Sequence, residues 1–275
     1  SKNKVEQPMI KDFDLLQRAN NDYTTIDLEH AEELAYRELI DSIRYISLGD
    51  ECGVMGNIAN IITYKGRFYI QEEQFDRVFI YDDTGRCLKK IDNKGRGPGE
   101  YLRIESIDIN TEKEELMLVD GMSDKLFFYD LDGNFKSIHS IRYFQTENTL
   151  CFRDSVFLHI SAPSQNFGYE GLYGYALVLS KGNENFLKGY RYLPLQVGYK
   201  GGGQIFKGYE RSCYHPIYSD TIYQILSDTT YGPIFYFKIK NSSWEKYHNS
   251  DRFVDIDGSE EGVFTLLYEN QDFFI

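Results

Sequence analysis

The sequence YDDTG at residues 81–85 returns as YDLDG at residues 129–133, which is 48 residues later. The apolar residues before it return at the same spacing, since RVFI at residues 77–80 corresponds to KLFF at residues 125–128. A β-rich repeat with a period near 50 residues is typical of β-propellers and similar arrays. A small antiparallel sheet with two apolar faces buries them only by packing on neighbouring copies. The repeat therefore predicts an all-β fold, a β-propeller of four-stranded antiparallel blades.

The chain divides into four copies of unequal clarity. Glycine turn signals such as Lys65-Gly66 and Thr84-Gly85 separate the strands of the first copy, because glycine adopts positive φ without steric cost. The strands predicted for the first two copies are residues 58–64, 67–71, 77–82 and 87–91, then 106–109, 116–120, 125–130 and 135–141. A third copy is predicted from residues 155–160 and 175–180, and a fourth from 205–209, 213–218, 221–226 and 234–240. Residues 262–268 and 273–275 continue the strand pattern.

The N-terminal region differs from the repeats. Residues 1–40 are predicted to form an arm, polar up to residue 25, with a short helix over residues 27–40, where apolar residues recur near helical spacing. Residues 42–48 are β-like, and we assign residues 41–275 to the propeller domain. The length from residue 41 corresponds to about five sheets of this period, if the C-terminal part is incomplete.

Composition and charge exclude several classes of function. The chain has 23 Tyr and 19 Phe against one Trp and six Pro, which favours strands, because aromatic rings pack well on a pleated surface. The formal net charge of −13 repels phosphate backbones and anionic headgroups, so nucleic acid is not an expected partner. No stretch is long and apolar enough to predict a transmembrane segment. The chain begins at Ser1 without a signal peptide, which is consistent with removal of an upstream targeting segment.

The cysteines give no motif. Cys52, Cys87, Cys151 and Cys213 lie too far apart for CxxC metal or redox spacing. Their even number leaves disulfides open, but free cysteine is among the most buried residue types, so we favour buried thiols. We predict neither a metal site nor a cofactor.

Two motifs carry a resemblance to a known family. The sequence GRGPGEY at residues 95–101 resembles the GxGPGEY signature of six-bladed β-propeller proteins of Gram-negative gut bacteria, which are distantly similar to NHL and TolB-type propellers. The sequence YSDTIYQI at residues 218–225 is similar to the later DTIY strand of that family, and residues 233–239 to the segment that follows it. The resemblance implies six blades and an exported lipoprotein of the periplasm or outer membrane, with a lipid anchor upstream of Ser1. Most members lack an assigned activity.

The glycine-rich sequence at residues 95–101 has two interpretations. Its backbone amides could hold an anion, but no Lys-Ser/Thr pair follows, so it is not a Walker A sequence. We favour a structural turn between sheets, in which Arg96 and Glu100 form an ion pair and Tyr101 packs under the next sheet. The structural residues predicted for this motif and the DTIY strand are Gly95, Gly97, Pro98, Gly99, Tyr101, Asp220 and Thr221.

An insertion at residues 161–174 is the best candidate for recognition. Aromatic rings on a glycine-rich loop offer flat apolar area with a hydroxyl group, which suits glycans or peptides. The alternative is that these rings fold back as the core of the loop. The predicted ligand-binding residues are Phe167, Tyr169, Tyr173, Arg96 and Glu100.

Catalytic and metal-binding patterns are absent from the sequence. Neither GxSxG nor HExxH occurs. Asp130, Asp132 and Asn134 are similar to a calcium loop, but position 141 is not the glutamate that an EF-hand requires, so a polar hairpin turn is favoured. His215 lies near Ser219 and Asp220, yet residues so close on adjoining strands point in different directions, and we predict no catalytic residues.

These observations leave three hypotheses for function. We favour a non-catalytic cell-envelope propeller that binds a protein, peptide or glycan partner through loops at one face. The alternative is a lyase or glycoside hydrolase with acidic residues converging on the central tunnel, since such residues lie far apart in sequence. The third is a purely structural module.

Overall fold

A computed structural model describes residues 16–30, 42–141, 146–153, 155–160, 175–181, 185–192, 203–208, 211–216 and 219–238. Within these ranges the helical element is a 3-10 turn at Leu28–His30, and the other regular elements are strands. No helix of the described ranges is long and apolar enough to cross a membrane. The insertion at residues 161–174 and the strands predicted at residues 262–268 and 273–275 lie outside the described residues.

The strands follow one another closely along the chain. They are β1 (Gln17–Arg18), β2 (Thr24–Asp27), β3 (Ile58–Tyr64), β4 (Arg67–Glu72), β5 (Arg77–Asp82), β6 (Cys87–Ile91), β7 (Ser106–Asn110), β8 (Glu115–Asp120), β9 (Lys125–Asp130), β10 (Phe135–Ser140), β11 (Asn148–Arg153), β12 (Val156–Ile160), β13 (Tyr175–Lys181), β14 (Asn185–Tyr192), β15 (Gln204–Gly208), β16 (Arg211–His215), β17 (Thr221–Ile225) and β18 (Thr230–Lys238).

Consecutive strands form antiparallel meanders. Sheet A contains β3 to β6, sheet B contains β7 to β10, sheet C contains β11 to β14, and sheet D contains β15 to β18. The prediction of an all-β, propeller-type fold of four-stranded antiparallel blades is confirmed. All eight strands predicted for the first two copies form, with ends within one residue of the prediction. The number of blades, five or six, stays a prediction.

The chain separates into two compact units. One contains residues His30–Ile141 and therefore sheets A and B, and the other contains Ser1–Glu29 with Arg142–Ile275 and therefore sheets C and D. The boundary at residues 40 and 41 that we predicted between arm and propeller stays a prediction.

Sheets A and B bury a shared apolar core. Tyr69 and Ile80 of sheet A meet Leu118 and Phe127 of sheet B, and all four are at most 1% exposed. Alternate residues of a strand point to opposite faces, so the period-two pattern of β4, β5, β8 and β9 supplies this core. Burial of large side chains on a face that a single sheet cannot cover explains why the repeat folds as a stack.

The repeated YDxxG sequence forms a hairpin turn, and hydrogen bonds to its aspartate stabilise the turn. The Oδ1 atom of Asp130 accepts the backbone N–H groups of Asp132 and Asn134 at 3.0 and 2.8 Å. Asp82 holds the corresponding turn of sheet A in the same way. The motif ends in glycine because the φ of Gly133 is 80°, a region that side chains rarely adopt.

A second core lies between sheets C and D. Leu158 and Leu177 of sheet C pack with Tyr214 and Ile225 of sheet D, and Leu16 joins them from the N-terminal region. Within sheet C, β11 and β14 were not predicted, because the insertion at residues 161–174 interrupts the period and both strands carry mixed polar sequence.

The N-terminal region corrects three expectations. Residues 16–27 are not a loose arm, since β1 and β2 both pair in parallel with β18 and extend sheet D. Residues 42–48, predicted to be a strand, contain none. The helix predicted over residues 27–40 is replaced at its start by the end of β2 and the 3-10 turn, and residues 31–40 lie outside the described part of the chain.

The cysteine expectation was wrong for one pair. Cys52 and Cys87 form a disulfide, with Cα atoms 6.0 Å apart. The physical reason is that residues 42–57 pack along sheet A and bring Cys52 to the first residue of β6, which sequence spacing does not reveal. Cys151 and Cys213 are buried thiols, as expected.

Candidate functional site: a polar cleft between two sheets

Three hairpin turns meet at one end of sheets A and B. The first contains Lys65, with a φ of 49°, the second ends at Glu114, with a φ of 54°, and the third follows Asp130. A cleft of about 450 Å³ lies among them. We call it the hairpin cleft, and its lining residues are Lys65, Arg67, Tyr69, Glu114, Asp130, Leu131 and Asp132.

The guanidinium of Arg67 is fixed at the cleft wall. Its Nη1 atom donates to the Leu131 carbonyl at 2.8 Å and to Asp132 Oδ1 at 2.7 Å. Tyr69, two residues along β4 and fully buried, donates its hydroxyl to the same carbonyl at 3.1 Å. The Asp132 carboxylate raises the pKa of Arg67, whereas burial raises the pKa of Tyr69. The floor of the cleft is therefore a rigid, hydrogen-bonded group that joins the two sheets.

The second ion pair of the cleft also joins the two sheets. Lys65 Nζ pairs with Glu114 Oε1, and both side chains remain about half exposed. The hydrogen bond that Lys65 donates to Glu114 raises the pKa of Lys65. Exposed ion pairs contribute little to stability because water competes for both partners. The pair is therefore readily exchanged for the charges of an incoming molecule.

Asp130 has a structural part in the cleft. Burial acts to raise its pKa, but the side-chain and backbone donors of Asn134 outweigh burial and lower it. Its Oδ2 atom accepts from Asn134 Nδ2 at 2.9 Å, and Asp132 Oδ1 is held by Arg67. The geometry is that of a polar hairpin, the interpretation that the sequence favoured over a calcium loop.

The side chains of the cleft carry charges of both signs. Among its lining residues two side chains are cationic, three are anionic and none is Ser, Cys or His. Donors and acceptors alternate over a short distance, which suits a ligand that carries both. In the described part of the chain, no group of three His, Cys, Asp or Glu side chains is placed to hold a metal ion.

The glycine-rich connection forms a closed loop at the end of sheets A and B opposite the hairpin cleft. It begins after Ile91, the last residue of β6, whereas the hairpin turns of the cleft lie next to Arg67 at the other end of sheet A. The loop is closed by backbone hydrogen bonds, from Gly95 to the Tyr101 carbonyl at 2.9 Å and from Tyr101 to the Asn93 carbonyl at 3.2 Å. The structure therefore does not bring this loop to the hairpin cleft.

The side chains of this loop have distinct surroundings. Tyr101 is fully buried, donates its hydroxyl to the Asp76 carbonyl at 2.8 Å and meets Phe127 of sheet B edge-on. Glu100 accepts the Gly97 N–H at 2.7 Å, and in the described structure no ion pair joins it to Arg96. Arg96 and Glu100 are both exposed. Their ligand-binding role stays a prediction.

Gly95 lies against the Glu100 carboxylate. A side chain at Gly95 would displace this exposed carboxylate. Gly99, which follows Pro98 directly, adopts a φ of 81°. The anion that the loop amides face is thus the carboxylate of the chain itself.

The remaining predicted residues lie elsewhere. Thr221 Oγ1 donates to Asp220 Oδ1 at 2.9 Å at the start of β17, and the Phe237 N–H donates to the Asp220 carbonyl at 2.8 Å. The predicted ligand residues Phe167, Tyr169 and Tyr173 lie outside the described residues.

His215 does not form a triad with its neighbours. Its Nε2 atom faces the carbonyl oxygen of Ser219 at 2.7 Å, whereas the Ser219 hydroxyl donates to the Thr221 carbonyl at 3.2 Å. His215 is itself buried. The arrangement fixes a turn between β16 and β17 and holds no activated nucleophile.

A buried polar chain crosses sheet C. His159 Nδ1 lies 2.9 Å from Thr149 Oγ1, and its Nε2 atom lies 2.6 Å from Ser180 Oγ. Each of the three side chains is at most 2% exposed, and burial lowers the pKa of His159 to about 3. A serine and a histidine at this distance resemble part of a catalytic triad, but both side chains are buried, so a substrate cannot reach them.

Buried carboxylates hold equivalent turns in sheets A and B. Glu72 accepts the Gln74 N–H at 3.1 Å and Arg77 Nε at 2.9 Å. Asp120, which follows Glu72 by 48 residues, accepts the Met122 N–H of the equivalent turn at 3.0 Å and the Leu102 N–H at 2.7 Å. Both side chains are at most 1% exposed. Their oxygens are used by the fold.

Two carboxyl groups have a raised pKa at the end of sheets A and B that carries the glycine-rich loop. Burial raises the pKa of Asp124 to about 6, and the charge of Asp120 adds to this. Burial also raises the pKa of Glu105, an effect that Arg103 opposes. Neither group lines the hairpin cleft.

Sequence reasoning missed the hairpin cleft. The Lys65-Gly66 turn was recognised, but no pattern marked Arg67 or Glu114 as part of a site. A usable signal existed, since the Lys65–Glu114 pair spans 49 residues and the repeat is 48 residues long. Residues at matching positions of neighbouring copies lie side by side, so the repeat alignment itself indicates which turns meet.

The four-stranded antiparallel sheets, their stacking within each unit and the polar cleft at the hairpin end define a β-propeller-type protein. The chain belongs to the family described as Domain of unknown function (DUF4934), whose model matches residues 23–275. No curated protein sequence matches the chain.

Solved structures are similar to the chain to different degrees, and the first of the following shares its fold. A protein of Bacteroides fragilis NCTC 9343, provisionally described as exported, has a TM-score of 0.67 at 19% identity, over 83% of this chain and 69% of that chain. A member of the DUF4221 family from Bacteroides vulgatus has a TM-score of 0.43 at 10% identity, over 66% and 57%. The WD40 repeats of RRP9 have a TM-score of 0.44 at 9% identity, over 65% and 51%.

Proposed function

We propose that this protein is an exported, non-catalytic binding protein of the cell envelope, and that it holds an extended polar segment of a protein partner in the hairpin cleft. The observation that carries the proposal is the fixed guanidinium of Arg67 at the wall of an open, charged cleft between two sheets. Preorganised groups lose little entropy when a ligand binds.

The chemistry of the cleft favours a peptide over a glycan. A guanidinium has five N–H donors, and Leu131 and Asp132 take two of those of Arg67, both through Nη1. The half-exposed Lys65 and Glu114 can exchange partners with the charges of a peptide. The ring of Tyr69 is fully buried and gives no stacking surface for a sugar. A peptide backbone with side chains of both signs matches these groups.

Export is supported by two independent observations. The Cys52–Cys87 disulfide is a feature of oxidising compartments. The similar Bacteroides fragilis structure is described as an exported protein. The lipid anchor and the place in the periplasm or outer membrane rest on the resemblance of the GxGPGEY motif.

The predicted aromatic residues Phe167, Tyr169 and Tyr173, together with Arg96 and Glu100, remain a second proposed contact set. Arg96 and Glu100 lie on the loop at the other end of sheets A and B, so they would contact a different part of a partner. Substitution of Arg96 tests this set separately from the cleft.

The enzyme alternative depends on Asp124 and Glu105. A raised pKa is common among catalytic acids, but it also follows from burial alone. Turnover of a polysaccharide or glycoside panel that is lost in Asp124→Asn would favour a lyase or hydrolase over a binding protein.

The binding test uses the full chain on an array of extended peptides with charges of both signs and on a glycan array. We expect peptide binding that Arg67→Ala weakens by about tenfold or more, as for a central interface arginine. Arg86→Ala is the matched control, because Arg86 also forms an exposed ion pair on a hairpin, with Asp82, but does not line the cleft. Binding of glycans alone, or peptide binding that survives Arg67→Ala combined with Lys65→Ala in a folded variant, would overturn the proposal.

A further inference from the structure

Residues 42–57 cover the face of sheet A that sheet B does not. We call them the cap segment. Cys52 and Met55 of the cap segment pack on a cluster of buried side chains, Ile70, Phe79 and Tyr81. These three belong to the strand faces opposite the core shared with sheet B, since alternate strand residues point to opposite sides.

The same face of sheet B is covered by a whole sheet. The residues that follow Ile70, Phe79 and Tyr81 by one repeat of 48 residues are Leu118, Phe127 and Tyr129. All three belong to the core between sheets A and B. The cap segment therefore occupies, on sheet A, the position that sheet A occupies on sheet B.

The polar contacts repeat as well. Arg67 of sheet A donates to the carbonyl of Leu131 at 2.8 Å, and Arg44 of the cap segment donates to the carbonyl of Asp83 at 2.6 Å. Asp83 and Leu131 are equivalent positions of the repeated hairpin, 48 residues apart. A guanidinium from the preceding element thus reaches the same carbonyl in both cases.

The glycine of the repeated hairpin gives a third equivalence. A Cβ atom at Gly133 would lie 2.9 Å from Ile80 Cδ1 of sheet A. A Cβ atom at Gly85 would lie 2.1 Å from the Ser47 carbonyl oxygen of the cap segment. The cap segment approaches its hairpin as closely as a preceding sheet does, and it achieves this without forming a strand.

We propose that the cap segment stands in for a preceding blade, and that the Cys52–Cys87 disulfide is the latch that keeps it on sheet A. Repeat arrays need a cap on a terminal apolar face, and here the chain supplies one from the residues just before the first copy. The face under the cap segment is then a blade-docking surface whose exposure depends on the redox state of one disulfide.

The cap segment has further hydrogen bonds to sheet A, since Glu51 accepts the Cys87 N–H at 3.3 Å and the Asn57 carbonyl accepts the Glu73 N–H at 3.0 Å. Gly49 donates its N–H to the Gly85 carbonyl at 2.8 Å and accepts the Tyr81 hydroxyl at 3.2 Å. Several of its apolar side chains point outward, with Tyr45 90% and Val54 83% exposed. Because most of the segment buries little surface, the covalent bond makes the difference between a held cap and a released one.

The chemistry of release is thiol–disulfide exchange. A small dithiol attacks one sulfur of the Cys52–Cys87 bond, and its second thiolate then resolves the mixed disulfide. Two electrons pass from the dithiol, Cys52 and Cys87 become thiols, and the dithiol becomes a cyclic disulfide. Both cysteines are only partly buried, so the bond is within reach of such a reagent.

The test is amide hydrogen exchange on the full chain, before and after reduction with dithiothreitol, and on the variant Cys52→Ser/Cys87→Ser. We expect the Gly49 amide to exchange faster by about tenfold or more in both reduced and variant protein, as for a local opening. The Gly133 amide, which donates to Asp130 in the equivalent hairpin of sheet B, is the internal control and should keep its protection.

Two results would overturn the latch. One is unchanged protection of Gly49 after mass spectrometry has shown full reduction. The other is a parallel loss of protection at Gly49 and Gly133, which would mean that the disulfide stabilises the whole unit. Arg44→Ala in the oxidised protein gives a further check, because removal of one polar contact should leave the latched segment protected.

Discussion

The buried His159 should make this protein lose stability in mild acid. Its imidazole lies between Thr149 Oγ1 and Ser180 Oγ, is fully buried, and has a pKa lowered from 6.5 to about 3. A lowered folded pKa means that the unfolded chain binds a proton more readily than the folded protein below pH 6.5. Stability contributed by the neutral imidazole is therefore complete above the unfolded pKa and is lost as the pH falls towards the folded pKa.

The size of the effect follows from the shift. Each unit of pH between the two pKa values costs about 1.4 kcal/mol. Between pH 7 and pH 5 the loss amounts to about 2 kcal/mol, because only the interval below the unfolded pKa contributes. Other groups titrate in this range too, so the measurement must isolate His159.

The assay compares urea denaturation of the wild type and His159→Gln at pH 7 and pH 5. The variant lacks the titrating ring, so the difference in free energy of unfolding between the two proteins should shrink by about 2 kcal/mol on acidification. His30→Gln, the substitution of an exposed histidine outside this network, is the matched control. A difference that is the same at both pH values would refute the reasoning, since it would show that His159 gains no proton on unfolding.

Two further outcomes are expected in sheets A and B. Gly133→Ala should destabilise the protein by about 1–3 kcal/mol more than Gly66→Ala. Both glycines have positive φ, but only the Cβ atom at position 133 would clash with Ile80. Thermal denaturation of the two variants measures the difference. Equal losses would mean that strain alone decides. Asp124→Asn should raise stability by about 1 kcal/mol at pH 7 and leave it unchanged at pH 4. The pKa of Asp124 is raised in the folded protein, so folding favours the protonated acid. The stability that the protonated acid contributes is lost as the pH rises through about 6. Denaturation at both pH values measures this, and a stabilisation that persists at pH 4 would point to Asp120 or to packing instead.

The regular repeats could be predicted from sequence because their signal is local. In β5 and β9 every second residue faces the shared core, and a glycine turn marks each end, so period and punctuation agree. β11 and β14 carry no comparable pattern. Their place is set by pairing with β12 and β13, which are buried on both faces and were recognised.

Contacts between distant segments were out of reach for a different reason. The sequence TTID of β2 is polar and exposed on its own, and it becomes a strand because the edge of β18 offers unpaired backbone groups. The Cys52–Cys87 pair follows from the path of the cap segment and not from spacing. The sequence pattern did not identify Arg67 as a site residue because its partners Leu131 and Asp132 belong to the next copy of the repeat.

The acidic character of this chain has in part a structural origin. Glu72 and Asp120 hold one kind of turn, and Asp82 and Asp130 hold another, so each of the first two copies of the repeat uses two carboxylates to bind backbone N–H groups. Donors at the hairpin lower the pKa of Asp82, so its contribution to stability is present above the unfolded pKa and is lost as the pH falls. Part of the net charge of −13 is therefore the cost of building turns and not a signal for a cationic ligand. The two cations of the hairpin cleft are a better guide to a ligand than the acidic groups. Arg67 presents a fixed guanidinium, and the exposed Lys65–Glu114 pair, which the turns do not require, is the contact that a partner can replace.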